Sequence, residues 1–582
     1  MGAGRLLVGW VVAVGVSVGW ASTAVAGPPA PGGRSAGALA AGGRSAGDLT
    51  VGGRSAGAPA AGGGSAGPVV TVAGAAETLL SGATDLGPAP AQSRSVTLVL
   101  GPTNAGRLAS FVAVAGHPDL SVAQTTAEFG PAPATLAAVT GWAAAAGLHV
   151  DSVSPDRELV HLSATTSTLG SALGVRFDRF RRADGSTFVS TVGTASLPAA
   201  IAAQTAAIVG LSDLGRVSPA KVYRASAGLG STTSYGPKDL WSLYGAPAGQ
   251  TGSGQQVSVI ASGDLTSVRS DLATFESHFG LPSVRFNEID LGPPSTDTSG
   301  ADEYDLDTQY STGMAPGVSQ VNVYDAASLA DQDTLTAVDR WITDGLADQA
   351  SFSAGECELL AEVTGFVPGL DAVLATAAAQ GKTLFVSSGD AGSQCPALVG
   401  LNGLPIGLPG VEYPASSPDA IGVGGTSILS ATPLLGLGSV FGTGPTEIGW
   451  YAGGGGTSLF EATPSWQQAA GGSFLGIRRG VPDVSLDADP NSGYDVVISG
   501  VLTPGVGGTS ASAPAWQGIW ARAQAAHAGD LGFAGPVIYA TEPPSAFRDI
   551  TLGTNTLFPV TSGWDYVTGR GVPNISALVN GA

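Results

Sequence analysis

Gly507-Gly508-Thr509-Ser510-Ala511-Ser512-Ala513-Pro514 runs straight into Ala515-Trp516-Gln517-Gly518-Ile519-Trp520. A glycine turn hands over to a serine that opens an apolar helical stretch. A hydroxyl placed there sits in the positive field of a helix N-terminus, beside backbone N–H groups free to bind an oxyanion. A nucleophilic serine is presented for acyl transfer in this way. A serine that merely caps a structural helix has the same local sequence, so the motif alone leaves both readings open.

A serine nucleophile needs a proton acceptor. The histidines are His117, His149, His161, His278 and His527. None lies in a His-Gly-Thr type loop, and three precede the processing boundary argued below. His278 reads as the end of a surface helix, and His527 ends the amphipathic helix that Ser510 begins, several turns away. A Ser-His-Asp triad is hard to assemble from these. Carboxylates are plentiful instead. Ala301-Asp302-Glu303-Tyr304-Asp305-Leu306-Asp307-Thr308-Gln309-Tyr310 reads as helix, and Glu303 and Asp307, four apart, share a face. Two carboxylates so placed repel when both are ionised, so one holds a proton and its pKa rises. Such a pair can serve as base and orienting partner where the pH suits a carboxyl group; the plain alternative is a solvated acidic face. A third carboxylate, Asp390, follows Thr383-Leu384-Phe385-Val386-Ser387-Ser388-Gly389, a short buried strand ending in a glycine turn. Reacting groups in parallel α/β sheets gather at the carboxyl ends of strands. A protonated Asp390 there could donate a hydrogen bond to an oxyanion; otherwise it is a turn residue.

Near the C-terminal end, Asp549-Ile550 and Thr561-Ser562-Gly563-Trp564-Asp565 bracket a polar loop. Two carboxylates and backbone carbonyls are hard oxygen ligands suited to Ca²⁺, and with no Cys or His nearby zinc is disfavoured. Two aspartates in a loop are also ordinary turn chemistry.

Glu303-x-x-x-Asp307 with Gln309-Tyr310, then Ser387-Ser388-Gly389-Asp390, then Gly508-Thr509-Ser510-x-Ser512-x-Pro514 follow one another as they do in the sedolisins, the serine-carboxyl peptidases of subtilisin-like fold. The resemblance extends to Tyr413-Pro414-Ala415-Ser416-Ser417-Pro418, Val423-Gly424-Gly425-Thr426-Ser427 and Arg479-Gly480-Val481-Pro482-Asp483-Val484-Ser485, from about Tyr235 to the C-terminus. It implies that Ser510 is the nucleophile, that Glu303 takes and returns its proton, and that Asp307 hydrogen-bonds to Glu303. It implies further that Asp390 and the Ser510 backbone N–H form the oxyanion hole. It implies one calcium ion held by Asp549 and Asp565 and by carbonyls of Ile550, Thr561 and Gly563. Some relatives extend the carboxyl relay with an acidic residue on the first strand and a Trp; the matching places here look like Ala261 and Phe352.

Several chain segments can be bounded. At 582 residues the chain exceeds one core. Residues 1–26 read as a secretory signal: Arg5, the apolar Leu6 to Trp20, then Ala24-Val25-Ala26. Secretion is therefore expected, with no membrane association after signal cleavage. Residues 27–68 carry a ten-residue Gly/Ala/Ser repeat, Gly32-Gly33-Arg34-Ser35-Ala36-Gly37 and its successors, expected to be flexible. Residues 69–212 read as an activation prodomain. Its strand at Val96–Leu100, helix over 131–146, hairpin around Pro155-Asp156, short helix near Leu169 and strands near Phe177 and Phe188 look like the ferredoxin-like α+β domain that precedes sedolisins. Residues 213–234 read as a loop-like processing junction, and 235–582 as the peptidase, a parallel sheet flanked by helices. Two cysteines in an exported chain, Cys357 and Cys395, are expected to pair, stabilising the fold by about 4 kcal/mol in the chain-entropy model.

Charge supports the division. Residues before Ala225 carry 14 basic and 11 acidic groups, a net of +3, and the remainder 10 and 34, a net of −24. A mildly basic prosegment complements a strongly acidic domain and would act as its intramolecular inhibitor. Loss of that attraction as pH falls predicts acid-triggered self-processing. The same balance disfavours a nucleic-acid partner. Glycines 453–456 could admit substrate backbone or form a flexible loop. The expectation is a secreted, monomeric, acid-acting endopeptidase zymogen that cuts proteins or peptides. Its rivals are a silent peptide-binding homologue, a tripeptidyl-type exopeptidase and a His-dependent subtilisin.

Overall fold

The computed structural model describes residues 69–71, 83–182, 184–219, 223–224, 233–399, 405–429, 446–468, 470, 476–529 and 531–581. The expected signal over 1–26 and the repeat over 27–68 lie outside the described residues.

The strand Ser93–Leu100 shows how the N-terminal part is built. Val96, Leu98 and Leu100 point to one side, where they meet the helices Pro133–Ala145 and Thr166–Leu173 through Val139, Ala143, Leu169 and Leu173. Val99 points to the other side and packs with Leu370, Val373 and Leu374 of the peptidase. Alternate side chains of a strand leave on opposite faces, and here both faces are covered, so the run is apolar throughout. The antiparallel sheet has the order His149–Val153, Leu159–Thr165, Ser93–Leu100, Thr205–Val209. That is the ferredoxin-like arrangement. The strands Arg176–Arg181 and Thr187–Val192 form a separate sheet with Thr84–Pro88.

The peptidase sheet runs Arg285–Asp290, Gln320–Asp325, Val257–Ala261, Gln349–Phe352, Thr383–Ser387, Ile421–Leu429, Thr446–Gly449, with Val484–Asp487 also paired to Ile421–Leu429. Every pair is parallel except the one made by Thr446–Gly449. Helices such as Asp331–Asp344 and Phe366–Ala379 cover it, giving the subtilisin-like α/β architecture.

The helix that Ser510 begins, Thr509–Ala526, is not amphipathic: Thr509 to Gln524 are all buried. It packs between the sheet and the acidic helix Ala301–Met314. Gly518 permits the close crossing, because a Cβ there would come 2.6 Å from the Ser311 carbonyl oxygen. Gln517, polar on paper, spends its Nε2 on the Ser258 and Gln349 carbonyls at 2.6 and 3.0 Å.

The junction after the activation domain, read above as a loop, is laid onto the peptidase. Val217 N donates to Leu329 O, and Ser218 and Pro219 pair antiparallel with Gly355 and Ala354. Tyr223 and Arg224 then pair antiparallel with Gly507 and Val506. Unpaired strand edges on the peptidase supply the hydrogen bonds that a free loop would take from water.

Elsewhere the activation domain meets the peptidase through buried acids as well as apolar side chains. Glu158 Oε1 accepts from Thr376 Oγ1 at 2.6 Å, and Asp156 lies against Asp339. The complementarity of net charges is therefore not what is buried at this contact. Cys357 and Cys395 form a disulfide, with Cα atoms 5.3 Å apart, joining the strand Ala354–Cys357 to Gln394–Val399. Among the described residues no single helix is long and apolar enough to cross a membrane.

Candidate active site

Glu303 and Asp307 stand one turn apart on Ala301–Met314, and from Glu303 onward that helix is buried. It is not a solvated acidic face. Gln309 locks it in place by donating to Val497 O at 2.8 Å and accepting from Val497 N at 2.9 Å. The Tyr310 hydroxyl donates toward Asp495 O at 2.8 Å.

Asp390 follows the strand Thr383–Ser387 and reaches the start of the serine helix. Its Oδ1 accepts from Thr509 N at 2.7 Å and from Thr509 Oγ1 at 2.9 Å. Gly454 N donates to Gly389 O at 2.6 Å, and Ser388 Oγ donates to Gly454 O at 2.8 Å. The glycine run 453–456 thus braces the turn that carries Asp390. Gly508 begins the serine helix with φ 117°, a conformation that favours glycine. Ser510 comes next but one, where a helix leaves backbone N–H groups without intrahelical acceptors.

These side chains share an unusual property. Ser510 Oγ, both oxygens of Glu303, Asp307 Oδ2 and Asp390 Oδ2 are buried without a completed hydrogen bond. Burial first, then the neighbouring charges of Asp307, Asp390 and Asp302, hold the Glu303 pKa well above the ordinary range. The Ser510 hydroxyl lies close enough to ease that shift, although the geometry stops short of a formed hydrogen bond. Burial pushes Asp307 up to about 8, against the Ser353 hydroxyl, which favours the ionised form. Burial lifts Asp390 to about 6, against the two Thr509 donors. The site is a proton-holding acid cluster around a hydroxyl at a helix N-terminus, able to accept a proton at one carboxyl and donate one from another.

The histidines stand apart from it. His278 is exposed in the last turn of Thr266–Phe279. His527 caps the far end of the serine helix, about 26 Å along its axis from Ser510 at the α-helical rise, and its Nε2 contacts Val579 O at 3.1 Å.

Three residues with a part in this geometry carried no signal of their own. Thr509 was visible only as a spacer, yet it fixes Asp390. Ser353 donates to Asp307 Oδ1 at 2.5 Å. Glu412 sits between the strand Ala354–Cys357 and the Asp390 turn: a Cβ on Gly355 would lie 2.9 Å from its Oε2, and one on Gly389 2.6 Å from its Oε1. Burial, then Asp390, push Glu412 up to about 8. Its place immediately before Tyr413-Pro414 was the available clue. Ala261 and Phe352, where some relatives extend the relay, are buried apolar residues here and add no carboxyl group.

At the C-terminal loop, Asp549 Oδ2 accepts from Gly563 N at 2.9 Å and Asp565 Oδ2 from Thr561 N at 2.9 Å. Asp565 Oδ1 accepts from Val567 N and Thr568 N, each at 2.9 Å. Both aspartates therefore grip one loop, and no described donor is paired with the carbonyls of Ile550, Thr561 or Gly563. This all-oxygen donor set fits a calcium ion. A different acidic group, Glu288, Asp290 and Asp325, brings carboxylate oxygens within 4.8 Å of one another. It lies at the far edge of the sheet from these loops and has only the clustering of acids to recommend it.

Residues 81–214 match the family model described as "Pro-kumamolisin, activation domain". The chain is 32% identical to sedolisin of Pseudomonas sp. (strain 101) over 78% of this chain and 80% of that protein. It is 31% identical to kumamolisin of Bacillus sp. (strain MN-32) over 86% and 94%. The solved structure of Pseudomonas sedolisin, a serine-carboxyl proteinase complexed with pseudo-iodotyrostatin, matches with a TM-score of 0.54 at 33% identity, covering 60% of this chain and 98% of that one. An acid cluster in place of an imidazole, a subtilisin-like sheet and an activation domain all agree with these matches: the chain belongs to the sedolisin family and is a serine-carboxyl peptidase made with an activation domain.

Proposed function

We propose that the protein is a secreted endopeptidase, active in acid, in which Ser510, Glu303, Asp307 and Asp390 do the chemistry. Glu303 takes the Ser510 proton as Oγ attacks the substrate carbonyl carbon. Asp307 steadies the carboxylate that does so. The oxyanion receives hydrogen bonds from the Ser510 N–H and from a proton on Asp390 Oδ2. Glu303 returns the proton to the leaving amine, and the acyl-enzyme forms. Water then attacks, losing its proton to Glu303, and Ser510 Oγ is released with that proton. The observation that carries this reading is the buried, unpartnered set of Ser510 Oγ, the Glu303 oxygens and Asp390 Oδ2. Acid favours the oxyanion donor: Asp390 must be protonated to donate, and burial lifts it to about 6.

The activation domain's tail lies as a substrate would, on the strand Ala354–Cys357 and then along Val501–Gly507, which ends beside Ser510. Antiparallel pairing of an extended peptide with a strand edge is how backbone is held for cutting. The first cleavage is therefore proposed within the interval from Pro219 to Tyr223, in cis. Two strand edges that hold chain, at 354–355 and at 506–507, favour endopeptidase action over removal of N-terminal tripeptides. Calcium, when bound by Asp549, Asp565 and the carbonyls of Ile550, Thr561 and Gly563, would clip the C-terminal loop and take no part in the chemistry.

Incubating purified zymogen near pH 4 tests the reading. Intact-mass analysis should show cleavage between residues 219 and 223 for the natural chain, and none for Ser510→Ala. Equal cleavage of both would end it.

A further inference from the structure

Pro514 has a consequence for the serine that precedes it. In a helix the N–H of residue 514 would serve the carbonyl of residue 510, and proline has no N–H to give. Pro514 lies inside Thr509–Ala526, so the Ser510 carbonyl is left without its helical donor. The hydroxyl within reach is that of Ser353, whose Oγ is 3.3 Å from Ser510 O. The same Oγ is 2.5 Å from Asp307 Oδ1. Ser353 sits at the bend between the buried strands Gln349–Phe352 and Ala354–Cys357 and is itself 2% exposed. Its rotor is thus held from two sides inside the molecule.

A serine hydroxyl has one hydrogen. The shorter contact gives it to Asp307 Oδ1, with the Ser510 carbonyl as the weaker second acceptor. An oxygen already receiving a hydrogen bond is a poor place for a proton, so a proton on Asp307 belongs on Oδ2, which has no donor. Glu303 is the carboxyl neighbour one turn away, and a proton on Oδ2 can be shared with it. The titratable groups facing this pair are Tyr304 on the same helix, Asp390 from its turn and Asp302 in the helix's first turn; no arginine, lysine or histidine contributes to either carboxyl.

We propose that Ser353 is a positioning residue: its hydroxyl occupies one oxygen of Asp307, confines the Asp307 proton to the other, and anchors on the Ser510 carbonyl that Pro514 leaves without a donor. Resting on the catalytic reading above, this makes Ser353 act on the reaction only through Asp307 and Glu303. Without it, the Asp307 proton can sit on Oδ1, turned away from Glu303, so Asp307 no longer has a hydrogen to give Glu303 when Glu303 ionises. Glu303 then ionises at higher pH.

The test measures kcat/KM against pH for the processed enzyme, using a quenched fluorescent peptide that carries residues 214–228 of this chain. Ser353→Ala should move the ascending limb up by about one pH unit and lower kcat at the natural optimum about tenfold, as expected for losing a hydrogen bond to a charged group. Ser353→Thr, which keeps the hydroxyl, should restore both. An Ala profile superimposable on the natural one, or a Thr variant no better than Ala, would overturn the proposal. If Ala does not fold, Ser353→Cys, similar in size but a weaker donor, should show the same shift, and its absence there counts equally against the idea. Glu303→Gln and Ser510→Ala run alongside separate the two levels. If either keeps natural activity, the catalytic reading fails. If both are inactive while Ser353→Ala is unaffected, only the role of Ser353 fails.

Discussion

Acids are buried without a salt bridge both in the Ser510 cleft and where the activation domain meets the peptidase. In the cleft, Glu303, Asp307 and Asp390 surround one hydroxyl and one helix N-terminus, all within the peptidase. At the contact, Asp156 and Glu158 of the activation domain meet Asp339 and Thr376 of the peptidase. Burial, then Asp156, hold Glu158 well above the ordinary range, and burial, then Asp156 and Glu158, do the same to Asp339, with Arg340 pulling weakly the other way. The physics is the same and the consequence differs. On the proposed mechanism, protons held in the cleft stay with the peptidase after activation and enter the reaction. Those held at the contact depend on the two parts staying together, because separation returns Glu158 and Asp339 to water and to their ordinary pKa. On that mechanism one set of buried acids would tune turnover, and the other would link domain release to pH.

The comparison breaks most decisively at the cleft. Ser510→Ala and Glu303→Gln should each reduce peptide hydrolysis by about 10⁴-fold while leaving thermal unfolding near that of the natural zymogen, since the members of such a unit act together. Retained hydrolysis in Glu303→Gln would mean that the cleft acids are as structural as those at the contact. The next effect belongs to Asp390. Asp390→Ala should lower kcat by about 10²–10³-fold, the usual loss for one oxyanion donor. Asp390→Asn can still accept from Thr509 and donates at any pH. It should therefore abolish the fall in activity expected of the natural chain as pH rises through about 6, the value to which burial lifts Asp390. A descending limb that persists in the Asn variant would assign that titration elsewhere.

At the contact the sign runs against the simple charge argument. Net charges of opposite sign predict that the activation domain binds more tightly as the peptidase acids ionise. The buried carboxyls predict the reverse. Their pKa values are raised in the assembled form, so assembly takes up protons, is favoured below the ordinary carboxyl values of 4.5 for Glu158 and 3.8 for Asp339, and weakens as pH climbs above them. A Ser510→Ala zymogen nicked at the junction by an added protease allows the measurement. Affinity between the two parts should fall about tenfold or more from pH 4.5 to 6.5, a change that one ionising group can supply at up to tenfold per pH unit. Asp339→Asn should flatten the slope. Tighter association at pH 6.5 would show that the long-range attraction dominates. On this account acid promotes the cut through Asp390 while holding the cut domain in place.

Local spacing made some of this readable in the sequence. Glu303 and Asp307 fall on one helix face because four residues are close to one turn, and Asp390 follows an apolar strand into a glycine turn. Other features depend on partners far along the chain. Ser353 meets Asp307 across 46 residues and Thr509 meets Asp390 across 119, so neither hydroxyl announces its neighbour. The serine helix looked amphipathic because Gln517 and Arg522 interrupt its apolar residues. In the fold Gln517 is consumed by strand carbonyls and Arg522 by Met314 O and Gln250 O, so polarity there marks internal hydrogen bonding rather than a wet face. The junction looked like a loop for a related reason. Glycine, proline and alanine around it give little strand propensity, and its pairing comes from edges formed by residues 354–357 and 501–507.

Asp565 offers a third way to bury an acid and sharpens the contrast with the other two. It is 1% exposed, yet its oxygens accept from Thr561 N, Val567 N and Thr568 N. Burial raises its pKa, and these donors pull against that rise, as no N–H does at Glu303. N–H donors support the ionised form, which a calcium ion also requires. Chelation at pH 6 should therefore lower the unfolding temperature by a few degrees, as loss of about 2–3 kcal/mol of ligand-linked stability would for a domain of this size. The effect should shrink as pH falls through the Asp565 pKa, because protonation competes with the ion. Asp565→Asn should remove the chelator response and leave the pH limb set by Asp390 untouched. A chelator response that survives in Asp565→Asn would place the ion elsewhere, and one that also shifts the Asp390 limb would mean that the C-terminal loop and the cleft are not separate.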